Sequence, residues 1–88
     1  MLLYYYMQEQ HFVYILRSKK TGRFYKGVSK HPELRLEEHN RGKNPSTKAE
    51  QPWQMVHLES FNSRADALIR ERQIKKWRSA MVESLING

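Results

Sequence analysis

Two short stretches of sequence decide the fold: HFVYILR over residues 11–17 and RFYKGVS over residues 23–29. Both are rich in aromatic and β-branched residues, which favour β-strands. The tetrapeptide KKTG at residues 19–22 lies between them, and its glycine can adopt the backbone conformation that a tight turn requires. The two stretches are therefore predicted to form a β-hairpin.

The segments after the hairpin predict a helix, a loop and a third strand. Pro32 suits the first turn of a helix, and Asn40-Arg41-Gly42 is typical of a helix end, so a helix is predicted from Pro32 to Arg41. Residues 43–52 contain two prolines and several short polar side chains, which favour a loop. Residues 53–61 alternate in polarity with a period of two, as a strand does.

Two helices complete the chain. Ser63 followed by Asp66 resembles a capping box and predicts a helix that runs to about Trp77. Ser79 is predicted to cap a last short helix that ends at Asn87-Gly88. The order ββαβαα predicts an α+β fold, in which a small three-stranded antiparallel sheet is flanked by helices.

The length and composition of the chain indicate one folded domain. Its 88 residues include no cysteine, which excludes disulfides and thiolate zinc sites. Residues 11–88 are predicted to form the domain, and residues 1–10 a flexible N-terminal extension. The extension lacks the basic start, the long apolar run and the small-residue cleavage site of a signal peptide. We therefore expect a cytoplasmic protein with its natural start at Met7 and no membrane association.

The charge of the chain indicates a polyanionic partner. Sixteen Lys and Arg residues against nine Asp and Glu give a net charge of +7, and the pI is near 9.9. A basic surface gains affinity for nucleic acid because each neutralised phosphate releases condensed counterions. DNA is the leading expected partner and RNA the second. A basic surface that serves solubility alone is the remaining interpretation.

Among the acidic residues, Glu71 has the predicted position that is least favourable for a charged group. At about 100° per residue it shares a helix stripe with Ala67 and Ile74, which places it among apolar neighbours. A rival stripe through Ile69 fits the periodicity as well. If the first stripe faces the core, Glu71 must be paired, protonated or bound to a cation. Otherwise it is a surface residue paired with a neighbouring Arg or Lys.

Arg35 and His39 are four residues apart on the predicted first helix, so they project from the same face. Arginine can bind a phosphate through two parallel hydrogen bonds, and histidine can donate to it or transfer a proton near neutral pH. The nearby Glu38 and Arg41 are also compatible with an ordinary solvated helix face.

Tyr14 and Tyr25 lie on the two predicted strands of the hairpin, and a turn of even length places both on one face. In a regular hairpin we expect them to lie about four positions, or roughly 13 Å, apart along the ladder. Gly27 is the natural place for an irregularity that brings them together, because a glycine within a strand often marks a close approach. Packing of both tyrosines beneath the helices is the structural alternative.

These segments together resemble the GIY-YIG nuclease domain, and in particular its small stand-alone bacterial members. The resemblance rests on FVYIL at residues 12–16, YKGV at residues 25–28, PELRLEEHN at residues 32–40 and ALIRERQIKK at residues 67–76. It extends over residues 11–86, which is nearly the whole chain.

The resemblance implies a metal-dependent phosphodiesterase that acts on DNA. Tyr14 and Tyr25 match the tyrosines of the two motifs, and Arg35 and His39 match the residues of the following helix. Glu71 matches the metal-binding glutamate, which would hold one Mg²⁺ or Mn²⁺ ion. Arg35 would stabilise charge on the phosphate, while a tyrosine or His39 would help to deprotonate the attacking water. The alternative is a binding module on the same scaffold that cleaves weakly or not at all.

The sequence departs from the family pattern in three places. Phe12 replaces the glycine of the first motif, and Lys26 replaces an apolar or small residue of the second. The asparagine that is usual a dozen or so residues after the glutamate has no counterpart before Asn87. Strand alternation predicts that Lys26 faces away from Tyr25.

Many larger members of the family carry a separate DNA-binding module. This domain is instead expected to bind DNA through its own basic residues, as a monomer, with little sequence specificity and with possible selectivity for DNA structure. The candidates lie on the hairpin, in the loop and near the last two helices: Lys26, Arg41, Lys43, Lys48, Arg70, Arg72, Lys75, Lys76 and Arg78. A solvated helix face is the alternative for the helical cluster.

Overall fold

The computed structural model describes residues 10–88, in which strands and helices follow the order ββαβαα. The strands are β1 (His11–Ser18), β2 (Phe24–Ser29) and β3 (Trp53–Phe61). The α-helices are α1 (Pro32–Asn40), α2 (Arg64–Lys75) and α3 (Ser79–Asn87), and a short 3₁₀ helix covers Lys48–Glu50. The predicted order and the α+β class are confirmed. Residues 1–9 of the predicted extension, with the proposed start at Met7, lie outside the described residues.

The strands form one antiparallel sheet in the order β2-β1-β3, so β1 is central and β2 is an edge strand within the described residues. The predicted hairpin joins β1 to β2. Its turn closes where the Ser18 N–H donates to the Arg23 carbonyl at 2.9 Å. Gly22 has a φ of 80°, a conformation that favours glycine, which explains the glycine in this turn.

The register of the hairpin places the two tyrosines close together. Tyr14 pairs with Gly27, and Leu16 pairs with Tyr25. The tyrosines are thus offset by two positions on one face, and their ring centroids are 6.2 Å apart. The predicted shared face is confirmed. The predicted offset of four positions is wrong, because the turn is centred between Lys20 and Thr21, one residue earlier than such an offset requires, and this leaves Tyr25 opposite Leu16.

Alternate residues of β1 belong to cores on opposite faces of the sheet, as a strand's period of two requires. One core contains buried apolar residues of β1, α2 and α3: Val13, Ile15, Ala67, Ile74 and Val82. The other contains buried residues of β1 and β3, with a leucine of α1 packed against them: Tyr14, Leu16, Trp53 and Leu36. Helices α1 and α2 therefore cover opposite faces of the sheet.

The loop between α1 and β3 is tied to the rest of the domain. The Asn40 side chain bonds both backbone groups of Trp53, donating to its carbonyl at 3.0 Å and accepting from its N–H at 2.6 Å. The indole Nε1–H of Trp53 donates to the carbonyl of Thr47 at 2.9 Å. The Ser18 hydroxyl donates to the Glu50 carbonyl at 2.5 Å. The backbone of this loop is thus fixed by both the sheet and the end of α1.

The two C-terminal helices begin differently. The Ser63 side chain accepts a hydrogen bond from the Asp66 N–H at 3.1 Å, so the predicted cap of α2 is confirmed. Helix α2 ends at Lys75, two residues before the predicted end. Ser79 is the first residue of α3, and among the described residues it makes no capping bond, so that predicted cap is wrong. None of the helices within residues 10–88 is long and apolar enough to span a membrane.

Replacing Ser63 with alanine is expected to destabilise the domain, because the N–H of Asp66 loses its acceptor. The expected loss is about 1 kcal/mol in the free energy of unfolding, measured by urea denaturation. Ser79→Ala is the matched control, because an exposed serine without a capping bond is replaced by a better helix former. Equal destabilisation by both substitutions would contradict this assignment of the caps.

Candidate active site

A cleft of about 750 Å³ lies at the β2 side of the sheet. All five candidate catalytic residues line it: Tyr14, Tyr25, Arg35, His39 and Glu71. The tyrosines belong to the face of the sheet that α1 covers, and Arg35 and His39 belong to α1 itself. Glu71 comes from α2 on the opposite face. The cleft therefore extends around the edge strand and combines residues from both sides of the sheet.

Gly27 allows the ring of Tyr14 to lie across the edge strand. A Cβ atom at this position would meet the Cζ and Oη atoms of Tyr14 at 2.6 Å, a separation that real Cβ atoms essentially never show. Gly27 does not have a positive φ, so its role is to leave space and not to permit an unusual backbone conformation. The tyrosine on the central strand thereby reaches the cleft beyond β2.

His39 forms a cluster with the two tyrosines, of which Tyr14 is buried and Tyr25 is partly exposed. It is 3% exposed, and its Nε2 atom is 3.4 Å from the hydroxyl of Tyr14. Its ring centroid is 4.6 Å from that of Tyr25. On the opposite side of the ring, Nδ1 lies 2.8 Å from the hydroxyl of Thr47. His39 therefore lies against both tyrosines and against the loop that follows α1.

Burial sets the protonation of this cluster. It raises the pKa of the Tyr14 phenol far above the usual 10.0, and the neighbouring Tyr25 adds to the rise. Burial also lowers the pKa of His39 from the usual 6.5, and the positive charge of Arg35 lowers it further. At neutral pH Tyr14 therefore keeps its proton, and His39 is an uncharged imidazole that is able to accept one.

Arg35 lies at the open side of the cluster. Its side chain is 54% exposed, and its guanidinium donates to Glu38 at 3.2 Å. A pair of this kind is worth only about 0–1 kcal/mol, because water screens it. An anion that enters the cleft can therefore compete for the guanidinium.

Glu71 lies on the stripe of α2 that faces the core. Ala67 and Ile74 are fully buried, whereas Ile69 on the rival stripe is 55% exposed, so the first stripe is confirmed. The side chain of Glu71 is only 12% exposed, and its carboxylate is paired with the Nζ of Lys75 at 2.9 Å. A carboxylate in this position was expected to be paired, protonated or bound to a cation, and in the structure it is paired.

Two carboxylates line this cleft, and of these Glu38 is paired with Arg35 while Glu71 lies on the side of α2. Within residues 10–88, no group of three or more His, Cys, Asp or Glu side chains is arranged to hold a metal ion. Mg²⁺ is commonly bound through one or two carboxylates, several waters and the phosphate of a substrate. The donor set around Glu71 fits that mode of binding, and it does not fit a cage built by the protein alone.

The sequence and its architecture match a known family. The sequence model of the GIY-YIG catalytic domain matches residues 10–84. The chain belongs to the GIY-YIG family. It is 37% identical over 70 residues to a UPF0213 protein of Staphylococcus aureus, which covers 78% of this chain and 84% of that protein. It is 38% identical over 68 residues to a UPF0213 protein of Staphylococcus saprophyticus, covering 76% and 82%.

A solved structure has the same fold. The solution NMR structure of a UPF0213 protein from Bacillus halodurans superimposes with a TM-score of 0.58 at 29% sequence identity. The match covers 89% of this chain and 83% of that protein. These relatives confirm the resemblance to small stand-alone bacterial members of the GIY-YIG family, which is a nuclease family.

Basic side chains surround the cleft of this GIY-YIG domain. Lys26 pairs with Ile15, so it faces away from Tyr25 as predicted, and it nevertheless lines the cleft from the α2 side. Burial lowers the pKa of its ammonium group. Three of the predicted nucleic-acid-binding residues line the cleft: Lys26, Lys43 and Lys75. Two further basic residues that were not predicted also line it: Lys30 and Arg64. Arg64 lies seven residues before Glu71, and this helical spacing, which places both on one face of α2, is the signal in the sequence that could have identified it.

The remaining basic candidates lie away from the cleft lining: Arg41, Lys48, Arg70, Arg72, Lys76 and Arg78. Arg41 pairs with Glu37 at 3.7 Å. Arg70 donates two hydrogen bonds to Glu59 at 2.9 and 3.1 Å, which raises the pKa of Arg70 and lowers that of Glu59. Contact between these six residues and nucleic acid stays a prediction.

Gly27→Ala is expected to destabilise the protein by about 1–3 kcal/mol, because the added Cβ overlaps the Tyr14 ring. In a Tyr14→Leu background the overlapping atoms are absent. There the same substitution should be neutral or stabilising by about 0.5–1 kcal/mol, since alanine suits a strand better than glycine. Denaturation of the four proteins measures this coupling, and equal effects in both backgrounds would contradict the proposed contact.

The His39 ring is expected to titrate below pH 6.5 in NMR spectra, with its signal assigned through His39→Gln. Arg35→Gln should move the midpoint upward, because a positive charge near the ring is removed. Arg41 lies outside the cleft lining, so Arg41→Gln should leave the midpoint of the His39 titration unchanged. The folded state disfavours protonation, so the contribution of His39 to stability is complete above pH 6.5 and falls as the pH drops towards its folded pKa. A midpoint above 6.5, or one insensitive to Arg35, would refute this.

Proposed function

We propose that this chain is a divalent-metal-dependent endonuclease that hydrolyses phosphodiester bonds in DNA with little sequence specificity. The observation that supports it best is the convergence of Tyr14, Tyr25, Arg35, His39 and Glu71 on one cleft in a member of a nuclease family. These groups come from two strands and two helices, and none is adjacent to another in sequence. They supply a carboxylate, a guanidinium and a proton-transfer cluster.

Glu71 would hold one Mg²⁺ or Mn²⁺ ion, with the Lys75 ammonium displaced towards solvent. The bound ion would supply Lewis-acid stabilisation of the negative charge that develops on the phosphate. Arg35 would bind a second side of the phosphate, because its half-exposed guanidinium is held only by a surface pair with Glu38. The substrate phosphate would thus lie between α1 and α2, across the edge of β2.

The proton-transfer step would use the cluster of His39 and the two tyrosines. Tyr14 is protonated at neutral pH, so it cannot accept a proton from water unless it loses its own. His39 is uncharged, and its Nε2 atom is 3.4 Å from the Tyr14 hydroxyl. Tyr14 would pass its proton to Nε2 as it takes one from the attacking water. In this scheme His39 is the base and Tyr14 is the relay, while Tyr25 packs against both rings.

The lysines and arginines around the cleft would bind the DNA backbone. Such contacts position a nucleic acid without reading its sequence, which supports weak and largely sequence-independent binding. Structure-selective cleavage of DNA, RNA as a second binding partner, action as a monomer and location in the cytoplasm belong to the same proposal.

A binding module without efficient cleavage is the second candidate. The ion pair between Glu71 and Lys75 favours it, because a carboxylate held by an ammonium at 2.9 Å is less available to a cation. The two candidates differ in a single observable, which is the formation of cleavage products.

Cleavage is expected in Mg²⁺ or Mn²⁺ and not in EDTA, on a panel of duplex, single-stranded, nicked, flapped and branched DNA. Glu71→Gln should reduce the cleavage rate by about 100-fold or more, since a cation supplies several kcal/mol of transition-state stabilisation. DNA affinity, measured by fluorescence anisotropy, should change little. The control is Glu37→Gln, which alters an exposed carboxylate outside the cleft. Binding without products under every condition would support the module, and cleavage that survives EDTA or Glu71→Gln would overturn the mechanism.

A further inference from the structure

Thr47 is a buried residue outside the set of candidate catalytic residues. It is 1% exposed and lies in the loop between α1 and β3, just before the 3₁₀ helix. Its hydroxyl is 2.8 Å from Nδ1 of His39 and 3.3 Å from the carbonyl oxygen of Asn44. It therefore joins the proton-transfer cluster to the backbone of the loop.

The backbone of Thr47 is fixed independently of its hydroxyl. Its N–H donates to the Asn44 carbonyl at 3.1 Å, and its own carbonyl accepts from the Trp53 indole at 2.9 Å. Substitution of the side chain leaves both of these bonds possible. The hydroxyl is thus held at a set position against the His39 ring.

The direction of the hydrogen bonds follows from the number of protons. Three contacts link Tyr14 to His39, His39 to Thr47, and Thr47 to the Asn44 carbonyl. The neutral imidazole, the phenol and the threonine hydroxyl each have one proton to donate, and the carbonyl can only accept. One arrangement gives a proton to each contact: Thr47 donates to Asn44, Nδ1–H donates to Thr47, and Tyr14 donates to Nε2.

The opposite tautomer leaves one contact without a proton. If Thr47 donated to Nδ1, its oxygen would face the Asn44 carbonyl at 3.3 Å with lone pairs on both sides. Nε2–H would then point at Tyr14, whose own proton would have to turn to the neighbouring Tyr25 hydroxyl. A buried polar contact left without a proton costs about 1–3 kcal/mol.

We propose that Thr47 is a positioning residue that holds His39 in the Nδ1–H tautomer, so that the Nε2 lone pair faces the hydroxyl of Tyr14. The consequence for catalysis depends on the proposed nuclease function. A neutral His39 with Nε2 as the acceptor is able to take the proton of Tyr14, and the Nε2–H tautomer is not. Thr47 touches neither the water nor the phosphate in this scheme and acts only through His39.

NMR of the ¹⁵N-labelled imidazole tests the tautomer directly, without reference to activity. At pH 7.5 the wild-type spectrum should show His39 with Nε2 unprotonated, through the two-bond ¹H–¹⁵N correlations of its ring. Thr47→Val keeps the side-chain shape and removes the hydroxyl, so the ring should lose this fixed tautomer. Thr47→Ser keeps the hydroxyl and should preserve it. A wild-type ring with Nδ1 unprotonated, or a Thr47→Val ring identical to wild type, would overturn the proposal.

Cleavage kinetics test the consequence. With the wild-type enzyme active, Thr47→Val should lower kcat by at least about 10-fold, with KM little changed and with activity restored in Thr47→Ser. The matched control is Thr21→Val, which removes the hydroxyl of an exposed turn threonine bonded to Glu50. Unchanged kcat in Thr47→Val would overturn the positioning role. Absence of cleavage by the wild type would instead remove the proposed function, while the NMR result would still decide the tautomer.

Discussion

The close approach of the Tyr14 ring to Gly27 is the contact on which the candidate site depends. Tyr14 belongs to the central strand, where a side chain ordinarily ends in the core beneath α1. Because Gly27 has no Cβ, the phenol lies over β2 and reaches the edge of the sheet. At that edge it meets His39 from α1, and the cleft continues to Glu71 on α2. The absence of a Cβ atom at Gly27 thus allows residues from opposite faces of the sheet to line one cleft.

The site separates uncharged and charged groups. Tyr14 and His39 are buried and neutral at pH 7, since burial disfavours both the phenolate and the imidazolium. Arg35 and Glu71 are charged and are each held by an ion pair, with Glu38 and Lys75 respectively. Proton transfer and charge stabilisation can therefore be carried out by different residues. The basic side chains around the cleft add a positive field that attracts a polyanion whatever its sequence.

Local sequence patterns predicted the parts of the structure that depend on neighbouring residues. The hairpin, the cap at Ser63 and the core-facing stripe of Glu71 all follow from turn chemistry and periodicity, and all are confirmed. Ser79 shows the limit of such patterns, because a serine before a helix can as well occupy its first turn. The role of Thr47 had no local signal, since a threonine in a polar loop is unremarkable until the fold brings it against His39. The close approach at Gly27 was predicted from the chemistry of glycine and is confirmed, whereas the irregularity predicted there is wrong, because β1 and β2 pair in a continuous register that puts Gly27 opposite Tyr14.

Mn²⁺ titration of the ¹⁵N-labelled protein tests most directly whether the cleft at the edge of β2 binds a cation. Paramagnetic broadening is expected to be strongest for backbone amides around Glu71 on α2 and around Lys26 and Gly27 on β2, and to be lost in Glu71→Gln. Amides near Glu83 on α3, whose carboxylate pairs with Arg17, should be broadened least. Broadening centred on another carboxylate, or unchanged by Glu71→Gln, would contradict the assignment of this cleft as the metal-binding site of the domain.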